Sequence, residues 1–285
     1  MIIVDMNQVM ISNIMKQIGN HTNMVFEEDL VRHMVLNSLR SYRQKFVREY
    51  GELVLCFDNK GSWRRDVYPY YKANRKKDRD KSEINWQRLF EIMNTIRSEL
   101  ETYFPYKIIL SEKAEADDII GTLCNEYGTL LNNSSSESIL ILSGDKDFIQ
   151  LQKYANVKQY NPVLKKFIIH NNPESYLKEH ILIGDRSDGI PNALSPDDCF
   201  VMNKRQKVLT QKRKDLYLNS EEIHDDIKYG WKRNEMLIDL TFTPAKIQKE
   251  ILNKYNDNNL NDRSKLFGYF VEYKLKNLLN SIGDF

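Results

Sequence analysis

Three short apolar runs each lead to an aspartate, and this pattern constrains the fold more than any other feature of the chain. Ile2-Ile-Val leads into Asp5, Leu53-Val-Leu-Cys-Phe57 into Asp58, and Ile139-Leu-Ile-Leu142 into Ser143-Gly144-Asp145, with Asp147 two residues further on. Apolar runs without alternation mark strands buried on both faces, the mark of a parallel sheet covered by helices. Between the first two runs, Val31, Met34, Val35, Leu39, Tyr42 and Phe46 recur at helical spacing, which predicts a βαβ unit. In an open sheet of this kind, the loops leaving the strand C-termini form the ligand crevice. One aspartate after a strand is often a turn residue or a helix cap. Three are harder to dismiss, because clustered carboxylates are costly without a cation or a proton.

Further elements follow from pattern. Helical periodicity covers Ile84 to Tyr103, and Lys107-Ile-Ile-Leu110 reads as a short strand. Ala114-Glu-Ala-Asp-Asp-Ile-Ile120 opens a helix to about Tyr127, with Glu115 and Asp118 on one face and Asp117 rotated about 100° away. Asn132 to Glu137 reads as a surface loop, and a short helix follows Phe148. Val157 to Tyr160 and Lys166 to Ile169 form an expected edge hairpin, and Tyr176 to Ile183 an expected helix. Gly184 to Asn192 is a tight turn carrying Asp185 and Asp188, and Ser195-Pro196 is expected to open the next helix. From Ile223 to Phe285 the pattern is helical.

The net charge of +2 conceals segregation. Lys60 to Lys81 carries nine Lys/Arg and three Asp, and Asn203 to Lys214 carries six Lys/Arg and no acid. The first basic stretch is interleaved with Trp63, Tyr68, Tyr70 and Tyr71, which suits phosphate contact with rings stacked on unpaired bases. The alternative is a solvated helix face. Basic surfaces beside an acidic pocket suit a polyanion gripped widely and cut at a metal centre. No apolar run reaches membrane-spanning length, and the N-terminus does not read as a signal peptide. Cys56, Cys124 and Cys199 are far apart, which disfavours zinc and suits a reduced cytosolic chain. His21, His33, His170, His180 and His224 have no ligand spacing and are expected to be ordinary core or surface residues.

Taken in order, these residues resemble the flap endonuclease and 5′-nuclease superfamily, and within it the phage ribonuclease H branch. The resemblance rests on Asp5, Asp58, the segment Tyr71 to Arg75, Glu115 to Asp118, Ser143 to Phe148, Gly184 to Pro191 and the closing Leu278 to Phe285. It spans nearly the whole chain. It departs from the family at Gly189, where cellular members usually carry Asn. The resemblance implies an α/β, PIN-like, mostly parallel central sheet with helices on both faces. It also implies a helical arch at about 60–100 within a nuclease domain at 1–183, and a helical C-terminal domain at 184–285 with a helix–three-turn–helix element. It implies two Mg²⁺ ions, with Mn²⁺ able to substitute, in an oxygen-rich site that suits these metals. Asp5, Asp58, Glu115, Asp118 and Asp145 are expected around one ion, and Asp147, Asp185 and Asp188 around the other. Asp117 is the least secure of the acids.

By the same resemblance Lys72 and Arg75 approach the scissile phosphate, with Asp145 the central catalytic acid. Tyr71 stacks on the terminal base, and Arg64, Arg65, Lys204 and Arg205 contact nucleic acid. The implied activity is 5′-to-3′ hydrolysis at 5′ ends, flaps or forks of DNA and RNA–DNA duplexes, including removal of RNA primers. The implied setting is a monomer in the cytoplasm, the host's if the chain is viral, beside a single-strand-binding protein and a sliding clamp and without a membrane. Two other readings compete. A haloacid-dehalogenase-like phosphatase would want an acid where Asn7 stands. A catalytically inactive, structure-selective DNA binder would have no need of so many costly acids.

Overall fold

The computed structural model describes residues 1–18, 26–130, 137–257 and 261–285; His21 and nearly all of the loop expected at Asn132 to Glu137 lie outside them. In chain order the elements begin β1 (Ile2–Asp5), α1 (Met6–Ile18), α2 (Glu28–Tyr50), β2 (Leu53–Cys56), α3 (Arg64–Val67), α4 (Ala73–Asp80), α5 (Trp86–Tyr103), β3 (Lys107–Ile109) and α6 (Ala116–Tyr127). There follow β4 (Ile139–Leu142), a 3₁₀ helix (Lys146–Lys153), β5 (Val157–Asn161), β6 (Lys166–Ile168), α7 (Pro173–Ile183) and α8 (Gln211–Leu218). α9 (Lys228–Ile238), α10 (Ala245–Asn256), α11 (Ser264–Glu272) and α12 (Lys276–Leu279) complete the chain.

The six strands form one sheet in the order β3-β2-β1-β4-β5-β6, parallel throughout except for the β5–β6 hairpin at one edge. The unbroken apolar runs are explained by two covered faces. Ile2, Val4, Leu53, Leu55, Leu140 and Leu142 point into a core built by α1, α2, α5 and α11. Ile3, Val54, Cys56, Ile139 and Ile141 point into a second core under α6 and α10. Each such side chain, fully removed from water, contributes roughly 1.5–3 kcal/mol. A third cluster joins Tyr68 and Tyr71 to α7, α8 and α9. A buried Arg32–Glu99 pair (both contacts 2.7 Å), with Tyr269 donating to Glu99 at 2.7 Å, ties α2, α5 and α11 together.

The chain enters at β1, grows one way through β2 and β3, then returns to the other side of β1 with β4. The order reverses between β1 and β4, and this is where a ligand crevice is expected. The helix expected at Ser195-Pro196 does not form: residues 197–203 are turns, and the next helix starts at Gln211. The Ser195 hydroxyl is spent on Asn192 (2.8 Å) and on the Lys207 amide (2.9 Å), so it caps nothing. No helix among the described residues is long and apolar enough to cross a membrane.

Candidate active site

Register sets the site. β1 pairs Asp5 with Cys56 and Val4 with Leu142, so Asp5 lies beside Ser143 and just behind Asp58 and Asp145. Asp5 accepts from the Ser143 hydroxyl and the Gln8 amide, both at 3.0 Å. The second bond makes Asp5 the residue that closes a strand and opens α1 at once. Asp58 accepts from the Ala116 amide at 2.7 Å and from the Asn7 side chain. Asp145 accepts from the Asp147 amide at 3.0 Å, and Gly144 donates to Gln8 at 2.5 Å.

Asp5, Asp58, Asp117 and Asp145 line one crevice of about 530 Å³ together with Lys72 and Arg75. Asp145 also lines a neighbouring crevice of about 700 Å³ with Asp147, His180 and Asp185. The acids are poised against their own charge. Burial, with Asp58 and Asp145 adding to it, pushes Asp5 up to about 7. Burial also raises Asp58, and burial with Asp145 and Asp5 nearby raises Asp117 well above the carboxylate range. Asp147 is pushed up to about 7 by burial and by Asp145. The Asp117 carboxylate makes no hydrogen bond among the described residues. A free carboxylate among like charges fits a divalent cation, and the oxygen-only donors of this crevice fit a hard one.

The basic segment docks against the 184–190 turn. Tyr68 donates to the carbonyls of Gly189 (3.2 Å) and Asp197 (2.8 Å), and the Lys72 amide donates to the Asp188 carbonyl at 2.7 Å. Lys72 itself sits in the left-handed region at φ 55°. Gly184 (φ +71°) has the Ile190 carbonyl 2.4 Å from where a Cβ would stand, so only glycine fits there. Gly189 (φ +76°) lies against the Tyr70 carbonyl, 3.0 Å from its would-be Cβ. The Lys72 ammonium reaches Glu115 at 2.6 Å and Asp188 at 3.5 Å, and Arg75 reaches Asp188 at 2.6 Å. Burial alone would raise Glu115, but Lys72 and Arg64 hold it below its usual value.

Several expected residues stand elsewhere. Asp118 is fully buried, not at the crevice: it accepts from Arg64 (2.8 Å), Trp63 (3.0 Å), Thr243 (2.9 Å) and the Glu115 amide (2.9 Å). Arg64 is 2 % exposed and also donates to the Leu237 carbonyl at 2.8 Å, so it is a core residue and not a phosphate contact. Tyr71 is 2 % exposed, with its hydroxyl on Glu115 (2.7 Å) and Asp188 (3.0 Å) and its ring in the third core, which leaves no face for a base. The Asp188 carboxylate is held by these same Tyr71, Lys72 and Arg75 groups, while its amide donates to the Asp185 carboxylate at 3.2 Å and its charge helps to raise Asp147. Arg65 is exposed on α3. Lys204 and Arg205 share a polar cleft with Lys81 and Arg186.

His180 stands between two acids. Its two ring nitrogens each lie 3.6 Å from a carboxylate, Asp147 on one side and Asp185 on the other. Ligand atoms of all three lie within 4.8 Å of one another. Burial opposes its charge, but Asp185 and Asp147 raise its pKa; burial would raise Asp185, but His180 and Ser187 hold it low. Asn7 and Gln8 were also missed by sequence reasoning, because α1 follows Asp5 without a break.

A pH dependence follows. Asp5 and Asp147 bind protons more tightly folded (about 7) than at their ordinary value of 3.8. The metal-free protein therefore loses stability as pH rises from about 4 through about 7, and Asp117, raised well above its ordinary value, carries the loss further. His180, also raised, acts in the same direction. Glu115 and Asp185, both lowered, cost stability only when pH falls further. Melting points in EDTA at pH 5, 6, 7 and 8 should fall throughout; a rise across that range would contradict these assignments.

Comparison with known proteins agrees with this geometry. The family described as 5′-3′ exonuclease, N-terminal resolvase-like domain, matches residues 5–181, and that described as T4 RNase H, C terminal, matches residues 172–285. The chain is 35% identical to ribonuclease H of Enterobacteria phage T4 over 90% of its own length and 87% of that protein's. It is 27% identical to a 5′-3′ exonuclease of Buchnera aphidicola over 73% of its own length and 72% of that protein's. The fold is similar to phage T5 5′-exonuclease with bound zinc, at TM-score 0.59 and 16% identity over 90% of this chain and 98% of that one. It is also similar to phage T5 flap endonuclease in complex with DNA and metal ions, at TM-score 0.60 and 15% identity over 90% of this chain and 99% of that one. On the family match and the identity together, the chain belongs to the 5′-3′ exonuclease family and is a nuclease.

Proposed function

We propose that the protein is a Mg²⁺-dependent 5′-to-3′ nuclease that hydrolyses phosphodiesters at the 5′ ends of RNA–DNA and DNA duplexes and removes RNA primers during phage DNA replication. The observation that carries this reading is the convergence of Asp5, Asp58, Asp117 and Asp145 on one crevice with Lys72 and Arg75 at its side. Those four acids would hold one Mg²⁺, and Asp147 and Asp185, beside Asp145, a second. Bound there, the ions supply an activated water and neutralise the phosphate and the leaving oxygen. Asp188 and Glu115 keep Lys72 and Arg75 at the crevice, where their N–H groups meet the scissile phosphate and stabilise its developing charge. Ser143 and Gln8 fix the orientation of Asp5.

Residues 1–183 act as the nuclease part, with the arch at about 60–100. Residues 184–285 hold the duplex, with Lys204, Arg205 and Arg186 on the backbone. The likeness to T5 flap endonuclease bound to DNA supports a DNA substrate. The reading extends to a monomer in the host cytoplasm, working beside a single-strand-binding protein and a sliding clamp. The test is a labelled nicked duplex bearing either a 5′ RNA primer or a 5′ DNA flap, incubated with Mg²⁺ or EDTA. Short 5′ products with Mg²⁺ and none in EDTA are expected. Tight binding without cleavage in any divalent metal would overturn the reading.

A further inference from the structure

His180 has no part in the nuclease reading above, yet it is built into the second crevice. It stands in the last turn of α7 with its side chain 11 % exposed, between Asp147 of the 3₁₀ helix and Asp185 of the turn that follows. The Tyr176 ring, one turn earlier on α7, lies 6.0 Å away at 61° and walls that side of the imidazole. The two carboxylates differ. Asp185 Oδ1 accepts from the Ser187 amide and hydroxyl, both at 2.7 Å, and from the Asp188 amide at 3.2 Å, which leaves Oδ2 to face the ring. Asp147 donates its amide to Asp145 at 3.0 Å, and its carbonyl accepts from Gln150 at 2.9 Å. Its carboxylate accepts no hydrogen bond among the described residues. His180 Nδ1 stands 3.6 Å from Asp147 Oδ1, beyond the roughly 2.7–3.2 Å of a hydrogen bond. Two donor atoms each about 2.0–2.2 Å from one ion stand roughly 3–4 Å apart, so this gap has the width of a shared cation.

We propose that His180 Nδ1 is a ligand of the second ion together with Asp147, while Nε2 keeps its proton on Asp185. The inference rests on the nuclease reading and names the donor set, and so the metal preference, of that reading's second ion. A ligating imidazole ordinarily gives its other N–H to a carboxylate, which fixes its tautomer and raises its basicity. Asp185, held in its turn by Ser187 and Asp188, supplies that carboxylate and reaches the ion through the ring. The two ion sites are then unlike. Asp5, Asp58, Asp117 and Asp145 offer oxygen alone, which suits Mg²⁺. A site with one imidazole favours Mn²⁺, and Co²⁺ more strongly, over Mg²⁺. Where both kinds of ion are present, the protein takes a mixed pair, with Mg²⁺ at the first site and the transition ion at the second.

The test uses the full chain without an affinity tag, as wild type and as His180→Gln, loaded with one equivalent of Mn²⁺ in an excess of Mg²⁺. Electron spin-echo modulation of the bound Mn²⁺ shows the nitrogen coupling of an imidazole in wild type and none in His180→Gln. In calorimetric titrations His180→Gln weakens Co²⁺ binding at one of two sites by about tenfold or more and leaves Mg²⁺ binding nearly unchanged. Bound Mn²⁺ without nitrogen coupling in wild type, or equal losses for Co²⁺ and Mg²⁺ in His180→Gln, would overturn the ligand while the nuclease reading stands. The wild-type spectrum decides the matter even where the variant fails to fold. A wild type that binds no divalent ion in calorimetry would strike the nuclease reading and the ligand together.

Discussion

Asp117→Asn is expected to slow cleavage about 10³-fold or more while raising the melting point of the metal-free protein. Both effects have one cause. Asp117 faces Asp5 and Asp145 without a hydrogen bond of its own, and burial with those neighbours raises its pKa far above the ordinary value. Its charge is a cost to the folded chain that Lys72 offsets in part and that a cation at the crevice would offset further. Removing the charge relieves the fold and deprives the ion of a ligand. Single-turnover cleavage and melting in EDTA, run on the same preparation, check the pair. Asp117→Asn with near-wild-type cleavage would remove this residue from the centre.

Asp118→Ala should do the reverse. Its carboxylate is the sole acceptor for Trp63 Nε1 and closes a fully buried pair with Arg64 at 2.8 Å. Removing Asp118 leaves the buried Arg64 with the longer Glu115 contact at 3.5 Å in its place, at a cost of about 3–5 kcal/mol. For a chain of this size the loss lowers the melting point by about 5–8 °C. Arg64→Ala should cost a similar amount, and the double substitution less than the sum of the two. Denaturant unfolding of the three variants measures this. A drop of under a degree for Asp118→Ala would mean that the acid is not held as described.

These two substitutions also mark where sequence pattern stops. Helical spacing rightly put Glu115 and Asp118 on one face and Asp117 on another, but spacing is silent about which face meets the crevice. The answer lay in Arg64, 54 positions from Asp118, which turns that acid inward. For the same reason Arg64 looked like a nucleic-acid contact within the basic run. β1, β2 and β4 were legible because strands buried on both faces admit no polar residue, and α2, α5 and α6 because their apolar stripes repeat. α1 was not, since Asp5 serves as both strand end and helix cap and leaves no loop to mark the change. His180 has no ligand-like spacing, because its partners Asp147 and Asp185 come from a 3₁₀ helix and a turn on either side of α7.

The central claim is that the acids at the strand ends form a divalent-metal centre. Crystals soaked in Mn²⁺ and measured for anomalous scattering test it most directly. The account predicts one peak enclosed by Asp5, Asp58, Asp117 and Asp145 and a second beside Asp147 and Asp185, with Asp118 contacting neither. A crevice without Mn²⁺ at saturating concentration, or an ion held by Asp118 in place of Asp117, would contradict it.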